Sequence, residues 1–170
     1  MQKMCLKCTK KIVCTPRNAC ELVDFTLQYF GEGKTLQKGG FHFMQLKAIH
    51  HIAIIVSDIE KAKDFYVRKL GFSVIRENYR AEREDWKLDV RINAETELEI
   101  FAEKNPPKRV SRPEACGLRH LAFRVDDVEK TADELKALGI PCEPIRTDTY
   151  TNKRMTFFFD PDGLPLEIHE

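Results

Sequence analysis

The chain has 170 residues, 42% hydrophobic and 32% charged, which is the composition of an ordinary one-domain globular protein. No apolar run approaches the roughly 20 residues of a membrane span, and the positively charged N-terminus lacks the apolar stretch of a secretory signal, so we expect no membrane partner and a cytoplasmic location. Residues 1–43 hold seven Lys/Arg against three Asp/Glu, which leaves 21 against 24 beyond them, so the mildly acidic remainder predicts no nucleic-acid partner.

Residues 1–43 show no clean strand or helix period apart from a short apolar piece at Leu22–Phe30. This segment holds one tight cysteine pair and two further cysteines, a weak match to a zinc site: Cys5, Cys8, Cys14 and Cys20. Lys38-Gly39-Gly40 can be encoded by AAA-GGA-GGN, a bacterial ribosome-binding sequence, and ends three codons before Met44. We interpret residues 1–43 as an N-terminal extension, either a mistranslated leader or a disordered segment. The functional domain is then residues 44–170.

The first predicted element of that domain is a strand over Leu46–Val56, because its sequence alternates and is rich in Ile and Val. Asp58 is a good helix N-cap, and the apolar spacing after it predicts a helix that Gly71 ends. Three strand-like runs follow, at residues 72–78, 86–92 and 97–103. This half of the domain therefore has the predicted order βαβββ.

The second half repeats that order after a linker, residues 104–117, which is rich in proline and charge. Its predicted strand is Leu118–Val125, Asp127 is the helix cap, the helix runs to Leu138 and Gly139, and three strands lead to the C-terminus. We therefore predict an α+β fold of two βαβββ modules, about residues 46–104 and 117–170.

The two modules share sequence as well as order. With His51 aligned on His120, seven of the fourteen positions that begin there are identical, and Leu98-Glu99-Ile100 reappears 68 residues later as Leu166-Glu167-Ile168. Strand side chains alternate between faces, and the apolar face of each strand is the one that a helix should cover. The uncovered, concave faces then carry two histidines and two glutamates: His51, Glu99, His120 and Glu167.

These four residues form a plausible ligand set for a borderline divalent metal such as Ni, Co, Zn or Fe. A single strand histidine is usually a packed or surface residue, and a lone strand glutamate is usually solvated. The recurrence of both at matching places in the two halves favours a ligand role. His50 would point to the other face of its strand, so His51 is the predicted ligand.

Four stretches of the sequence resemble the vicinal oxygen chelate (glyoxalase/bleomycin-resistance) superfamily over Leu46–Glu170: HHIAIIVSDIEKAKDFYVRKLGF, LEIF, LRHLAFRVDD and FFFDPDGLPLEIHE. The class that the chain is most similar to is glyoxalase I, or lactoylglutathione lyase. This resemblance implies the glyoxalase/bleomycin-resistance/dioxygenase fold, in which mixed sheets form a metal-binding cleft. It also implies one divalent metal per site, Ni, Co or Zn, held by His51, Glu99, His120 and Glu167.

The resemblance further implies a reaction and an assembly. Glyoxalase chemistry moves a proton between adjacent carbons of a hemithioacetal, formed from a 2-oxoaldehyde such as methylglyoxal and a thiol, and yields a 2-hydroxyacyl thioester. Glu167 would be the catalytic base and Glu99 its counterpart. The implied partners are a small-molecule thiol adduct and a second copy of the chain. In such a homodimer, His51 and Glu99 of one chain would meet His120 and Glu167 of the other.

Two positions depart from the pattern of the glutathione-using members. Those enzymes tend to have an Arg four residues after the first His and an Asn four after the first Glu, where this chain has Ile55 and Glu103. The thiol is therefore left open. The predicted substrate-binding residues are Arg124, Lys153 and Arg154, with ordinary solvated charge as the alternative. A methylmalonyl-CoA epimerase-like isomerase and a small-molecule-sequestering resistance protein stay open as alternative functions.

Overall fold

The structure, a computed structural model, describes residues 44–170 in full and, before them, only the backbone of two strands. These strands, β1 (Lys10–Cys14) and β2 (Cys20–Asp24), pair antiparallel. The hairpin was not predicted, because neither run of five residues alternates cleanly between polar and apolar. Of the cysteines in the weak zinc match, Cys14 and Cys20 lie in these strands, whereas Cys5 and Cys8 lie outside the described residues. The interpretation of residues 1–43 as an extension stays a prediction.

The chain divides into two compact units, Met1–Met44 and Gln45–Glu170, and the second contains both predicted modules. The first module begins with β3 (His51–Val56), followed by helix α1 (Ile59–Ala62), which continues as a π-helical segment (Lys63–Lys69). Three strands complete the module: β4 (Ser73–Arg80), β5 (Asp85–Arg91) and β6 (Glu97–Ala102).

The second module has the same order of elements. Strand β7 (Leu121–Arg124) precedes helix α2 (Val128–Ala137). Three strands follow: β8 (Arg146–Thr147), β9 (Arg154–Phe159) and β10 (Pro165–His169). The prediction of two βαβββ modules in an α+β fold is therefore confirmed.

Each module forms one four-stranded mixed sheet with the same topology. The spatial order is β3-β6-β5-β4 in the first sheet and β7-β10-β9-β8 in the second. The first and last strands of each module are parallel neighbours, with the first strand at the edge of the sheet, and the other pairs are antiparallel. The strands that carry or directly follow the predicted ligands, β3 with β6 and β7 with β10, therefore lie side by side.

The helix caps form as predicted, and the start of one strand shifts for a physical reason. The Asp58 carboxylate accepts hydrogen bonds from the backbone N–H groups of Glu60 and Lys61, and the Asp127 carboxylate accepts one from Lys130. Strand β3 begins at His51 instead of Leu46, because its partner β6 begins at Glu97, directly opposite His51.

One core of buried apolar side chains joins the two modules. The helices cover one face of each sheet, and alternate strand residues on that face are buried, as the period of two predicted. The cluster includes Ile54, Val56, Phe65, Tyr66, Leu88, Val90, Leu98, Ile100, Val128, Leu135, Phe158, Leu166 and Ile168. We call the other face of each sheet, which the helices leave uncovered, the open face. Neither helix in residues 44–170 combines the length and the apolar character needed to cross a membrane.

A buried hydrogen bond ties the first module to the turn before β10. Tyr66 is completely buried, and its hydroxyl donates to Asp160 Oδ2 at 2.9 Å. Asp160 Oδ1 accepts from the backbone N–H groups of Asp162 and Leu164, so this carboxylate is satisfied within the core. Burial raises the pKa of Asp160 and that of Tyr66 above their ordinary values.

Tyr66→Phe should lower the free energy of unfolding by about 1–3 kcal/mol, because it leaves a buried carboxylate oxygen without its donor. The hydrogen bond from Tyr66 favours the ionised form of Asp160 and so acts against the burial that raises the pKa of this carboxyl group. The loss should therefore be largest near neutral pH and shrink as acid protonates Asp160. Urea unfolding at several pH values measures both effects. Tyr79→Phe, at an exposed tyrosine, is the control. Equal unfolding free energies for the two variants would contradict the prediction.

Candidate functional site

The first histidine–glutamate pair lies on the open face of the first sheet. His51 begins β3 and Glu99 lies on β6, with Ala53 opposite Glu99 in the ladder. The alternation that buries Leu98 and Ile100 turns Glu99 to the open face. His51 Nε2 lies 3.7 Å from Glu99 Oε2. The two predicted ligands of this module are therefore neighbours.

The second pair has the corresponding arrangement on the second sheet. His120 directly precedes β7, and Glu167 lies on β10 opposite Ala122. His120 Nε2 lies 3.0 Å from Glu167 Oε2, and the Glu167 side chain is 8% exposed. The His120 ring packs edge-on against Phe157, with ring centroids 5.3 Å apart. The histidine and glutamate of the second pair therefore lie closer together, and their side chains are less exposed, than those of the first pair.

The four predicted ligands occur as two separate pairs. Among the described residues, no three His, Cys, Asp or Glu side chains cluster in a way that could hold a metal ion. Each pair offers one imidazole nitrogen and one carboxylate, and the combination of two pairs would match the donors that Zn, Ni or Co accepts. The residues present therefore fit such a metal by their chemistry.

A lysine that the sequence analysis did not single out distinguishes the two pairs. Lys87 on β5 donates a hydrogen bond from Nζ to Glu99 Oε1 at 2.8 Å, and this contact raises the pKa of Lys87. The strand registers place Met155 at the corresponding position of the second module. Glu99 therefore has an ammonium partner, whereas the position matching Lys87 beside Glu167 carries an uncharged thioether.

Lys87 belongs to a series of ion pairs along the open face of the first sheet. Arg76 pairs with the fully buried Asp89, whose ladder partner is Glu99. Two further pairs flank it: Arg80 with Asp85, and Arg91 with Glu97. The alternation of the segment Trp86–Ile92, with Leu and Val between charged residues, was the sequence signal for this row. The carboxylates of this face are balanced by cations.

The three predicted substrate-binding residues lie in different surroundings. Arg124 is exposed on β7, opposite His169, and shares the open face with Ala122. Lys153 is exposed just before β9. Arg154 instead shares a face with the buried Thr156 and Phe158, and its guanidinium pairs with Glu129 of α2. The structure thus places Arg154 on the helix-covered side, away from the open face that carries the two histidine–glutamate pairs.

The sequence and the fold agree with those of known proteins. Residues 48–168 match the family described as the Glyoxalase/Bleomycin resistance protein/Dioxygenase superfamily. Protein YwkD of Bacillus subtilis is 60% identical over 127 residues, which are 75% of this chain and 99% of that protein. Protein YaeR of Escherichia coli is 53% identical over 125 residues, 74% of this chain and 97% of that protein. The crystal structure of a glyoxalase family protein from Enterococcus faecalis has a TM-score of 0.72 at 55% identity, covering 75% of this chain and 100% of that one.

More distant relatives have names that state an activity. A 2-epi-5-epi-valiolone epimerase from an Actinomyces species is 31% identical over 143 residues, 71% of this chain and 78% of that protein. A probable lactoylglutathione lyase of Vibrio cholerae is 26% identical over 122 residues, 71% of this chain and 88% of that protein. The family match covers most of the chain, and the two-module fold and the strong likeness to relatives agree with it. The chain therefore belongs to the glyoxalase/bleomycin resistance protein/dioxygenase superfamily.

Proposed function

We propose that this protein is a metal-dependent, glyoxalase I-like enzyme, which isomerises the hemithioacetal of a 2-oxoaldehyde and a thiol to a 2-hydroxyacyl thioester. The observation that carries the proposal is the matched pair of His–Glu contacts, at 3.7 Å and 3.0 Å, at equivalent positions of the two sheets. Members of this superfamily are typically metal-dependent, and one relative is named a probable lactoylglutathione lyase.

The proposed ligands are His51, Glu99, His120 and Glu167. When bound, one divalent ion such as Ni, Co or Zn would supply Lewis-acid polarisation of the substrate. Two carboxylates balance the charge of a dication, and the edge-on contact with Phe157 holds the His120 ring in place.

We assign the role of general base to Glu167. Glu99 is its counterpart, the equivalent carboxylate of the first module. A base that takes a proton from carbon needs a free carboxylate oxygen within reach of that carbon. Glu99 already accepts a hydrogen bond from Lys87, so one of its two carboxylate oxygens is occupied by an ammonium group. Glu167 is 8% exposed, and its matching neighbour is Met155. These surroundings support Glu167 as the group that moves the proton.

We further propose that the complete site forms in a homodimer from domain 44–170. Within one chain the two pairs lie on the open faces of different sheets, β3 with β6 and β7 with β10. In a two-fold dimer, the first sheet of each chain could face the second sheet of its partner. The His51–Glu99 pair of each chain would then lie next to the His120–Glu167 pair of the other. Each of the two resulting sites would then have two histidines and two glutamates.

Metal analysis tests the ligand set without any assumption about substrate. Protein purified without chelator should retain about one divalent ion per protomer, and His51→Ala/His120→Ala should lose most of it, because a site that loses two of four ligands binds far more weakly. Glu134→Gln, at an exposed glutamate of α2, is the control and should retain its metal. Undiminished metal in the double variant would exclude these histidines as ligands.

A second candidate function is an epimerase-like isomerase, which the 31% identity to the 2-epi-5-epi-valiolone epimerase favours. The two reactions share proton removal beside a carbonyl group and differ in substrate. An assay should therefore offer methylglyoxal with several thiols in parallel with methylmalonyl-CoA. We expect turnover of the thiol adducts. Turnover of the CoA ester alone would establish the epimerase, and tight ligand binding without turnover would indicate a sequestering protein.

A further inference from the structure

A cleft of about 340 Å³ lies between the linker of the two modules and the open face of the second sheet. Pockets for small ligands typically have volumes of roughly 300–1,000 Å³. Linker residues 109–112, 114 and 115, together with Arg119, form one side, and Phe157, Phe159 and Pro165 contribute from β9 and β10. His120 also lines the cleft, so the cleft adjoins one of the proposed metal ligands.

The cleft is rich in arginine. Four guanidinium groups and only two carboxylates line it, so we call it the arginine cleft. These side chains are Arg109, Arg112, Arg119 and Arg146 with Glu114 and Glu143. The carboxylates are already engaged, because Glu114 pairs with Arg119 at 2.7 Å and Glu143 with Arg146 at 3.0 Å. An excess of positive charge remains for a ligand.

The two other guanidinium groups have no carboxylate partner among residues 44–170. Arg109 donates from Nη2 to the backbone carbonyls of Leu118 and Arg119, the latter at 2.9 Å, and these contacts hold the linker in place without neutralising its charge. Arg112 makes no ion pair with any described residue and lines the same cleft. A planar guanidinium is well suited to carboxylate and phosphate groups, with two parallel hydrogen bonds.

The wall opposite the linker is aromatic. Phe159 is 44% exposed, and the Phe157 ring contacts the His120 ring on one side and lies 5.5 Å from the Arg146 guanidinium. A ligand here would meet an apolar surface beside free positive charge. The open face of the first sheet differs, because its carboxylates are paired with Arg76, Arg80, Lys87 and Arg91.

We propose that the arginine cleft binds a carboxylate or phosphate group in the thiol part of the substrate, so that the enzyme prefers adducts of anionic thiols. This inference rests on the proposed function and names its substrate class. The anion would lie against Arg109 and Arg112, the carbon chain against Phe157 and Phe159, and the reacting carbons toward His120 and Glu167.

The test compares methylglyoxal adducts of three thiols: neutral 2-mercaptoethanol, the carboxylate 3-mercaptopropionate and the phosphate-bearing coenzyme A. In the wild type, kcat/KM should be higher for an anionic adduct than for the neutral one. Arg112→Gln should lower that anionic-to-neutral ratio by about tenfold or more, the effect expected for a lost charged hydrogen bond. Lys108→Gln removes the same charge at an exposed position that does not line the cleft, and should keep the ratio. The anionic adduct whose kcat/KM falls in the cleft variant shows whether the cleft prefers a carboxylate or a phosphate group.

Calorimetric titration separates this inference from the proposed function. Two probes without a free thiol, 3-(methylthio)propionate and acetyl-coenzyme A, are titrated into the wild type, Arg112→Gln and Lys108→Gln. The Arg112→Gln variant should bind the preferred probe about tenfold more weakly, and Lys108→Gln should bind it as the wild type does. If the adducts turn over but neither ratios nor probe binding change, the inference is wrong and the function stands. If no adduct turns over while probe binding still depends on Arg112, the proposed function is wrong and the anion site stands.

Discussion

Glu167→Gln should reduce isomerisation of the hemithioacetal by roughly a hundred- to ten-thousand-fold in kcat, the usual loss when a positioned general base is removed. A neutral amide cannot take up the carbon-bound proton, but its carbonyl oxygen still offers a metal ligand. Glu167 is buried to 8% exposure beside His120, and Gln has nearly the same shape, so the fold should be preserved. Rate measurements and elemental analysis on the same preparation separate loss of the base from loss of the metal.

Glu99→Gln is the matched variant from the other module. Its effect should be the milder of the two, because Lys87 already engages Glu99 Oε1 while the position matching Lys87 in the second module is Met155. Glu134→Gln on α2 should have the activity of the wild type, since that glutamate is exposed on a helix. Equal losses for Glu99→Gln and Glu167→Gln would mean that the carboxylates share the proton transfer. Full activity of metal-loaded Glu167→Gln would remove it as the base.

A mixed dimer of two inactive variants should recover activity. The first variant, His51→Ala/Glu99→Ala, has lost the pair on its first sheet, and the second, His120→Ala/Glu167→Ala, has lost the pair on its second sheet. If each site takes one pair from each chain, a mixed dimer has one intact site and one site without ligands. Two different affinity tags allow the mixed dimer to be purified. It should show about half of the wild-type turnover and about one metal per dimer, because one of two symmetric sites is complete.

Each variant alone is the control for this experiment, and both should be inactive with little bound metal. Recovery requires that the intact pairs of different chains meet, so it cannot come from a site built within one chain. A purified mixed dimer that is inactive and metal-free would contradict the shared site. A purely monomeric wild-type protein, measured by light scattering, would do the same.

The sequence predicted those features of the fold that depend on neighbours along the chain. Side chains alternate strictly along a strand, so the burial of Leu98 and Ile100 and the opposite orientation of Glu99 followed from the pattern alone. Asp58 and Asp127 cap their helices through backbone groups only two or three residues away. The repeat of this local pattern predicted two βαβββ modules, with one histidine and one glutamate on the open face of each.

Contacts between elements that are distant in sequence were decided only by the tertiary structure. The contact of Lys87 with Glu99 depends on the register of β5 against β6, which no period within either strand determines. The face of β9 that carries Arg154 is hidden in the sequence by three consecutive phenylalanines, 157–159, and is decided by the packing of α2 against that strand, which pairs Arg154 with Glu129. The arginine cleft depends on where a linker without periodic structure lies against the second sheet. Local sequence patterns determine the conformation and the faces of each element, whereas the register and packing of those elements bring distant charges together and so determine the chemistry of the site.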